Sequence, residues 1–272
     1  MTTRRVALCL PVLLLLVAPL MAAEVLFEED FDDLELGDPV DEGAVGNNVW
    51  TPDGPEGWEV VIDMPDVGVT EWMGWTFADA TWWSLAAGDQ ERSLYVDRAK
   101  DGLARDVVAV ADPDEYDDKN GALGGGTYNT WLSTPPIPVI IAAANALVVR
   151  FDSSWRPEDN QDANLTVSFD GGPEVEIQRM ESVNDGGWAT AYTEPIAGIE
   201  TVEPDLALVN VTHEIDIPNP GGTRELVITW GMFEAGNDWW WAIDHIVVEA
   251  TALAVDPAGK TATHWAELKR SR

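Results

Sequence analysis

From about residue 24 to residue 250, short runs of alternating apolar and polar residues recur, each closed by Gly, Pro, Asn or Asp. Alternation with a period of two sends successive side chains to opposite faces of an extended chain, so each run predicts a half-buried β-strand. Eleven segments fit: EVLFEEDF (24–31), GWEVVID (57–63), MGWTFA (73–78), VVAVAD (107–112), TWLSTP (130–135), ALVVRFDSSW (146–155), ANLTVSFD (163–170), EVEIQRM (174–180), NVTHEIDI (210–217), RELVITWGMF (224–233) and WWWAIDHIVVEA (239–250). Helical periodicity is almost absent, and only FADATWWSLAAG (77–88) reads as a short helical turn. Strands in this number with no helices between them predict one all-β antiparallel β-sandwich. In VSFDGGPEVEI, Asp170, Gly171 and Gly172 supply the left-handed positions of a tight hairpin.

The last strand departs from simple alternation. Extended geometry puts Trp239, Trp241, Ile243, His245 and Val247 on one face and Trp240, Ala242, Asp244, Ile246 and Val248 on the other. Both faces are largely apolar, so the strand is either covered on both sides or lines a groove. Most of its rings then belong to the core, with Trp240 the one carried forward as a ligand contact. Asp244 is the anomaly, because an ionised carboxylate among apolar neighbours is costly unless it is paired or bound to a cation. In a jelly-roll sandwich the first and last strands often pair, which brings Glu28 or Asp30 toward Asp244. A calcium ion held by Glu28, Asp30 and Asp244 is one expectation. Capping of a buried backbone group by Asp244 is the other.

The N-terminus is of another kind. MTTRRVALCLPVLLLLVAPLMAA (1–23) carries Arg4 and Arg5, then an apolar run, then small residues, which is the order of a cleaved secretory signal. The apolar run is shorter than the ~20 residues of a bilayer span and is broken by Pro11 and Pro19. A secreted, periplasmic or cell-surface location follows, with no membrane span in the mature chain. The lone cysteine, Cys9, falls within this segment, so the mature chain has no disulfide to staple it. The expected organisation is a signal at 1–23, a sandwich at 24–252 and a basic tail at 253–272 containing Lys260, His264, Lys269, Arg270 and Arg272.

Charge narrows the partners. The chain has 49 acidic and 15 basic residues, a formal charge of −34, and losing Arg4 and Arg5 takes the mature chain to −36. Such a surface repels nucleic acid and anionic membrane. Disorder is excluded by 14 Trp and 46% hydrophobic residues. Asp112, Asp114, Asp117 and Asp118 crowd one segment, which reads as a solvated acidic loop in preference to a second cation site, since it lacks EF-hand order. For ligand contact the candidates are the adjacent Trp82 and Trp83, then Trp155, Arg156 and Asp159 in SSWRPED, and Trp188 in the Gly-rich NDGGWAT loop, because loops at sandwich ends commonly carry recognition.

The ordered set EDFDDLELG, WTPDGPEGW, EWMGWTFAD, GDQERS, VVAVADPDEYDD, TYNTWLSTPPI, VVRFDSSWRPED, SFDGG and NDWWWAIDHI resembles the secreted bacterial jelly-roll module of choice-of-anchor proteins, similar to a module that accompanies some metallophosphoesterases. The resemblance spans about 27–249 and implies a concanavalin-like or galactose-binding-like jelly roll. It brings no phosphoesterase domain, because only His213, His245 and His264 exist and none lies in a metal-ligand motif. Glycoside hydrolysis needs two placed carboxylates. EEDFDD gives Glu28, Asp30 and Asp33 without the final Glu of the E-x-D-x-x-E pattern. No serine lies in G-x-S-x-G. The expectation is an exported, non-catalytic, cation-stabilised module for an extracellular polysaccharide or cell-surface glycan. A glycan hydrolase on the same sandwich, or an accessory subunit of a separate hydrolase or phosphoesterase, is the alternative.

Overall fold

The computed structural model describes residues 23–86, 90, 92–119, 121–158, 161–184, 189–193 and 208–253, without the side chains of 183, 184 and 189–193. In chain order the first strands are β1 (Glu24–Glu29), β2 (Trp50–Thr51), β3 (Glu59–Ile62), β4 (Trp75–Asp79), β5 (Val107–Ala111), β6 (Tyr128–Ser133) and β7 (Ile137–Pro138). They are followed by β8 (Leu147–Trp155), β9 (Asp162–Phe169), β10 (Val175–Asn184), β11 (Ala189–Thr193), β12 (Leu208–Ile217), β13 (Glu225–Ala235) and β14 (Trp241–Ala250). The described residues also form three short α-helices, α1 (Ala80–Ala86), α2 (Arg92–Val96) and α3 (Pro113–Asp117).

The strands form two antiparallel sheets packed as a jelly-roll β-sandwich. The first runs β12-β8-β14-β5-β4-β2, with β1 also paired to β14; the second runs β11-β10-β9-β13-β6-β3, with β7 on β13. Each of the eleven segments read from alternation contains a strand. The first and last strands do pair, with Glu28 opposite Val247 and Glu29 opposite Ile246. Asp170 (φ 52°) and Gly171 (φ 69°) take the left-handed positions of the β9–β10 hairpin, while Gly172 is not needed in that conformation. Phe151 of β8 meets Trp230 of β13 edge-on at 5.6 Å, joining the sheets across the core.

The predicted two-faced division of β14 holds only as far as Asp244. Between Asp244 and Val247 the pairing with β8 shifts by a bulge, and His245 adopts φ 50°. The extra residue reverses the alternation. Ile246 and Val248 therefore join Trp241 and Ile243 on the inner face, where Val248 lies opposite Val149.

Helices differ more from expectation. The α1 turn falls where FADATWWSLAAG predicts one, whereas α2 forms where no element was read and α3 forms within the segment read as a solvated acidic loop. Asp112 caps α3 by accepting the Glu115 N–H at 3.4 Å, and Pro113 fills the first turn, where its missing N–H is harmless.

Candidate functional site

The residues expected to touch ligand are, where described, mostly core. Trp83 and Trp240 meet edge-on at 4.9 Å on the outer side of β14, beneath the segment carrying α1 and α2. The indole N–H of Trp240 donates to the Gln90 carbonyl (3.1 Å), and that of Trp83 to Asp112 (2.8 Å). Trp82 stacks on Trp72 at 5.5 Å and donates to the Ala44 carbonyl. Both neighbours are buried, because the segment is the α1 helix and packs one ring on Trp72 and the other on Trp240. Trp155 is fully buried between the sheets and donates to Gln161 (3.1 Å). Ser153 serves as acceptor for the Trp241 indole at 2.9 Å, ordinary packing for the DSSW segment. Arg156 is buried, with its guanidinium carbon 4.2 Å from the centroid of the half-buried Trp239 ring. Trp83, Trp155 and Trp240 thus have no ring face open to a sugar. Asp159 and Trp188 lie outside the described residues, as do most of the signal and the basic tail.

The proposed calcium ligands are not brought together as a cage. Asp244 sits where the edge of β14 passes from β5 to β1. Its Oδ2 accepts the Arg105 N–H (3.0 Å) and its Oδ1 the His245 N–H (2.7 Å). Both oxygens are thus engaged by backbone N–H groups, which is the capping alternative for this carboxylate. Burial pushes Asp244 up to about 7, against those two amides and His245. Glu28 and Asp30 are exposed on β1 and just beyond it. Among the described residues no group of three or more His, Cys, Asp or Glu is placed to hold a metal ion.

Of the four aspartates read as a solvated loop, Asp112 and Asp117 are buried, Asp114 is half-buried and Asp118 is exposed. Arg92 of α2 reaches Asp112 at 2.6 Å and Glu115 at 3.1 Å, with all three side chains nearly inaccessible. Burial first, and the adjacent Asp112 second, push Glu115 up to about 8 against the pull of Arg92. Asp112 is raised by burial as well. The cluster ties α2 and α3 together over Trp83, a structural duty that needs no ligand.

A different face combines rings open to solvent with polar groups. On β13, Trp230 points inward, so Thr229, Gly231 and Phe233 point out of the second sheet. Gly231 lies between Trp131 of β6 and Asn164 of β9. Trp131 and Phe233 are both partly exposed, and their rings meet edge-on at 5.8 Å over this glycine. A Cβ at Gly231 would stand 2.7 Å from both Phe233 Cζ and Asn164 Oδ1, so only glycine lets ring and amide close over the strand here.

Hydrogen-bonding groups border the rings. Asn164 Nδ2 donates to Glu176 (2.6 Å), and Ser133 and Thr229 share a hydroxyl contact at 2.8 Å. Arg179 Nε and Nη2 grip Glu176 at 3.0 and 3.1 Å, while Nη1 reaches Glu181 at 3.5 Å. Asp162, half-buried on β9, is pushed up to about 6, by burial and then by Glu181, with Arg179 opposing. The π faces of an indole and a phenyl ring suit the C–H faces of a pyranose, and the flanking amide, hydroxyls and carboxylates suit its hydroxyls. Sequence reasoning passed over this face because it ranked tryptophans by loop position. The available signal was parity: Trp131 and Phe233 occupy the outward phase of strands whose inward phase is apolar.

No family model matches this sequence, and none of the curated proteins compared with it does. Among solved structures the chain is similar to the K3 adhesin domain of Lys-gingipain from Porphyromonas gingivalis W83, at 10% identity over 84% of this chain and 99% of that chain, with a TM-score of 0.43. It is also similar to TmCBM61, solved with beta-1,4-galactotriose, at 16% identity over 71% of this chain and 88% of that one, with a TM-score of 0.37. A third likeness is to TmCBM27, a carbohydrate-binding module that recognises mannan, at 10% identity over 85% and 99%, with a TM-score of 0.29. Likenesses this distant carry no argument about function, which rests on the side chains above.

Proposed function

We propose that this protein is an exported, non-catalytic glycan-binding module whose binding face is the outer side of the second sheet around Trp131 and Phe233. The observation that carries the reading is the pair of partly exposed rings at 5.8 Å, closed over Gly231 and bordered by Asn164, Glu176 and Asp162. Exposed aromatics set on a rigid sheet offer stacking surface at little entropic cost, and the polar border fixes orientation. The signal-like segment at 1–23 supports export.

Glycan hydrolysis is the second reading, on one specific observation. Asp162 and Glu181 are register partners on adjacent strands, and burial and then Glu181 raise Asp162 to about 6, so two carboxyl groups sit beside the rings. Affinity electrophoresis of the full chain through gels containing soluble polysaccharides, with reducing ends counted in parallel, separates the two. The binding reading expects retardation that Trp131→Ala and Phe233→Ala each abolish, with no reducing ends released. Release that Asp162→Asn stops would replace it with the hydrolytic reading. Retardation untouched by both ring substitutions would remove the face from consideration.

A further inference from the structure

We infer that the outer face of the second sheet selects uncharged glycans and turns away polysaccharides bearing uronate or sulfate groups; this rests on the glycan-binding reading of that face. Anionic sugars are held by arginine or lysine side chains with free N–H donors, best as bidentate pairs. Among the described residues Arg179 is the only basic one in any strand of this sheet. Three of its five N–H donors are taken: Nε and Nη2 chelate the two oxygens of Glu176, and Nη1 turns to Glu181 at 3.5 Å. An incoming carboxylate or sulfate could take the Nε/Nη2 fork only by displacing Glu176, and at the remaining N–H groups it would meet a cation whose charge Glu176 and Glu181 already offset.

The surroundings reinforce the exclusion. Asp162 of β9 is the register partner of Glu181 on β10, and Glu176, Arg179 and Glu234 also act on its ionisation. Arg179 is thus one cation against four carboxyl groups, a net of −3 when all are ionised. Interactions across such a patch fall within the ~8 Å screening length at physiological salt, and the formal charge of −34 on the whole chain adds a long-range repulsion of the same sign. A hydroxyl-rich neutral chain meets the opposite situation. Its O–H groups are donors, and the border of the rings is rich in acceptors: Glu176, Asp162, and the Asn164 oxygen lying beside the Phe233 ring at Gly231.

The test compares retention of the full chain in gels of two neutral polymers, galactomannan and hydroxyethylcellulose, with retention in alginate and dextran sulfate, each at low and high salt. The variant Glu176→Gln/Glu181→Gln releases Arg179 and removes two negative charges. Glu181→Gln alone serves as the milder form should the double variant melt early. The expected result is retention of the wild type by a neutral polymer, none by either anionic polymer at low salt, and a gain of at least about tenfold in alginate retention by the double variant. Retention by alginate equal to that by the neutral polymers, lost with Trp131→Ala, would overturn the charge selectivity while leaving the binding face intact. Retention by none of the four, or retention indifferent to Trp131→Ala, would overturn the glycan-binding reading and the selectivity with it.

Discussion

Replacing Arg92 by Met tests whether the acid-rich segment after β5 is held by a buried ion cluster. Arg92 and Asp112 are fully inaccessible and 2.6 Å apart, with Glu115 at 3.1 Å. Removing one partner of such a pair leaves uncompensated buried charge and costs about 3–5 kcal/mol. At about 2–4 °C per kcal/mol for a domain of this size, Tm should fall by about 6–20 °C. The loss should also depend on pH. Glu115, raised to about 8, contributes stability that is fully present below its unfolded value of 4.5 and is lost as pH rises through about 8. Without Arg92 that penalty deepens, so the Tm deficit should be larger well above pH 8 than in mildly acidic buffer. Circular dichroism melts of both proteins at the two conditions measure it. Adding Asp112→Asn and Glu115→Gln to the variant should restore part of the loss, because neutral amides tolerate burial better than unpaired carboxylates. A Tm change below about 2 °C, or a deficit that is the same at both pH values, would refute the cluster as the clamp on α2 and α3.

Three further outcomes are expected. Gly231→Ala should cost about 1–3 kcal/mol by overpacking and should weaken glycan retention, since the new methyl displaces Phe233 and Asn164; denaturant unfolding and affinity electrophoresis read the two effects. Asp244→Ala should cost about 1–3 kcal/mol by orphaning the Arg105 and His245 amides, equally in calcium and in chelator, and a loss confined to calcium-loaded protein would restore the cation site. His213 is buried against Phe151 at 4.9 Å, and burial lowers it to about 4. Its neutral form therefore adds stability above its unfolded pKa of about 6.5, lost as pH falls through 4. His213→Gln should gain on the wild type in urea titrations as pH drops across that window, and parallel curves would contradict the assignment.

The strands were legible because alternation is a local property: each of the eleven segments contains one. What alternation does not reveal is where a strand gains a residue. The bulge at His245 comes from meeting the ends of β5 and β1 along one edge of β14, a tertiary circumstance invisible in WAIDHIVV. The helices over β14 were half legible. Asp112 followed by Pro113 is a cap signal that the crowd of carboxylates obscured, and the partner that makes those carboxylates tolerable, Arg92, lies 20 residues upstream of Asp112. Two of the three tryptophans are core, as strand geometry favoured, Trp241 facing inward against Trp75 and Trp240 outward under Trp83, while Trp239 is half-buried beside Arg156. The candidate face was missed because its parts come from four strands, and only the register unites Trp131, Asn164, Arg179 and Gly231.

The most direct measurement of the central claim is isothermal titration of the full chain with a soluble neutral polysaccharide that it retains, beside its Trp131→Ala variant. The account predicts measurable binding by the wild type, affinity reduced at least about tenfold in the variant, and melting curves that superimpose. Equal affinities in two equally folded proteins would contradict it.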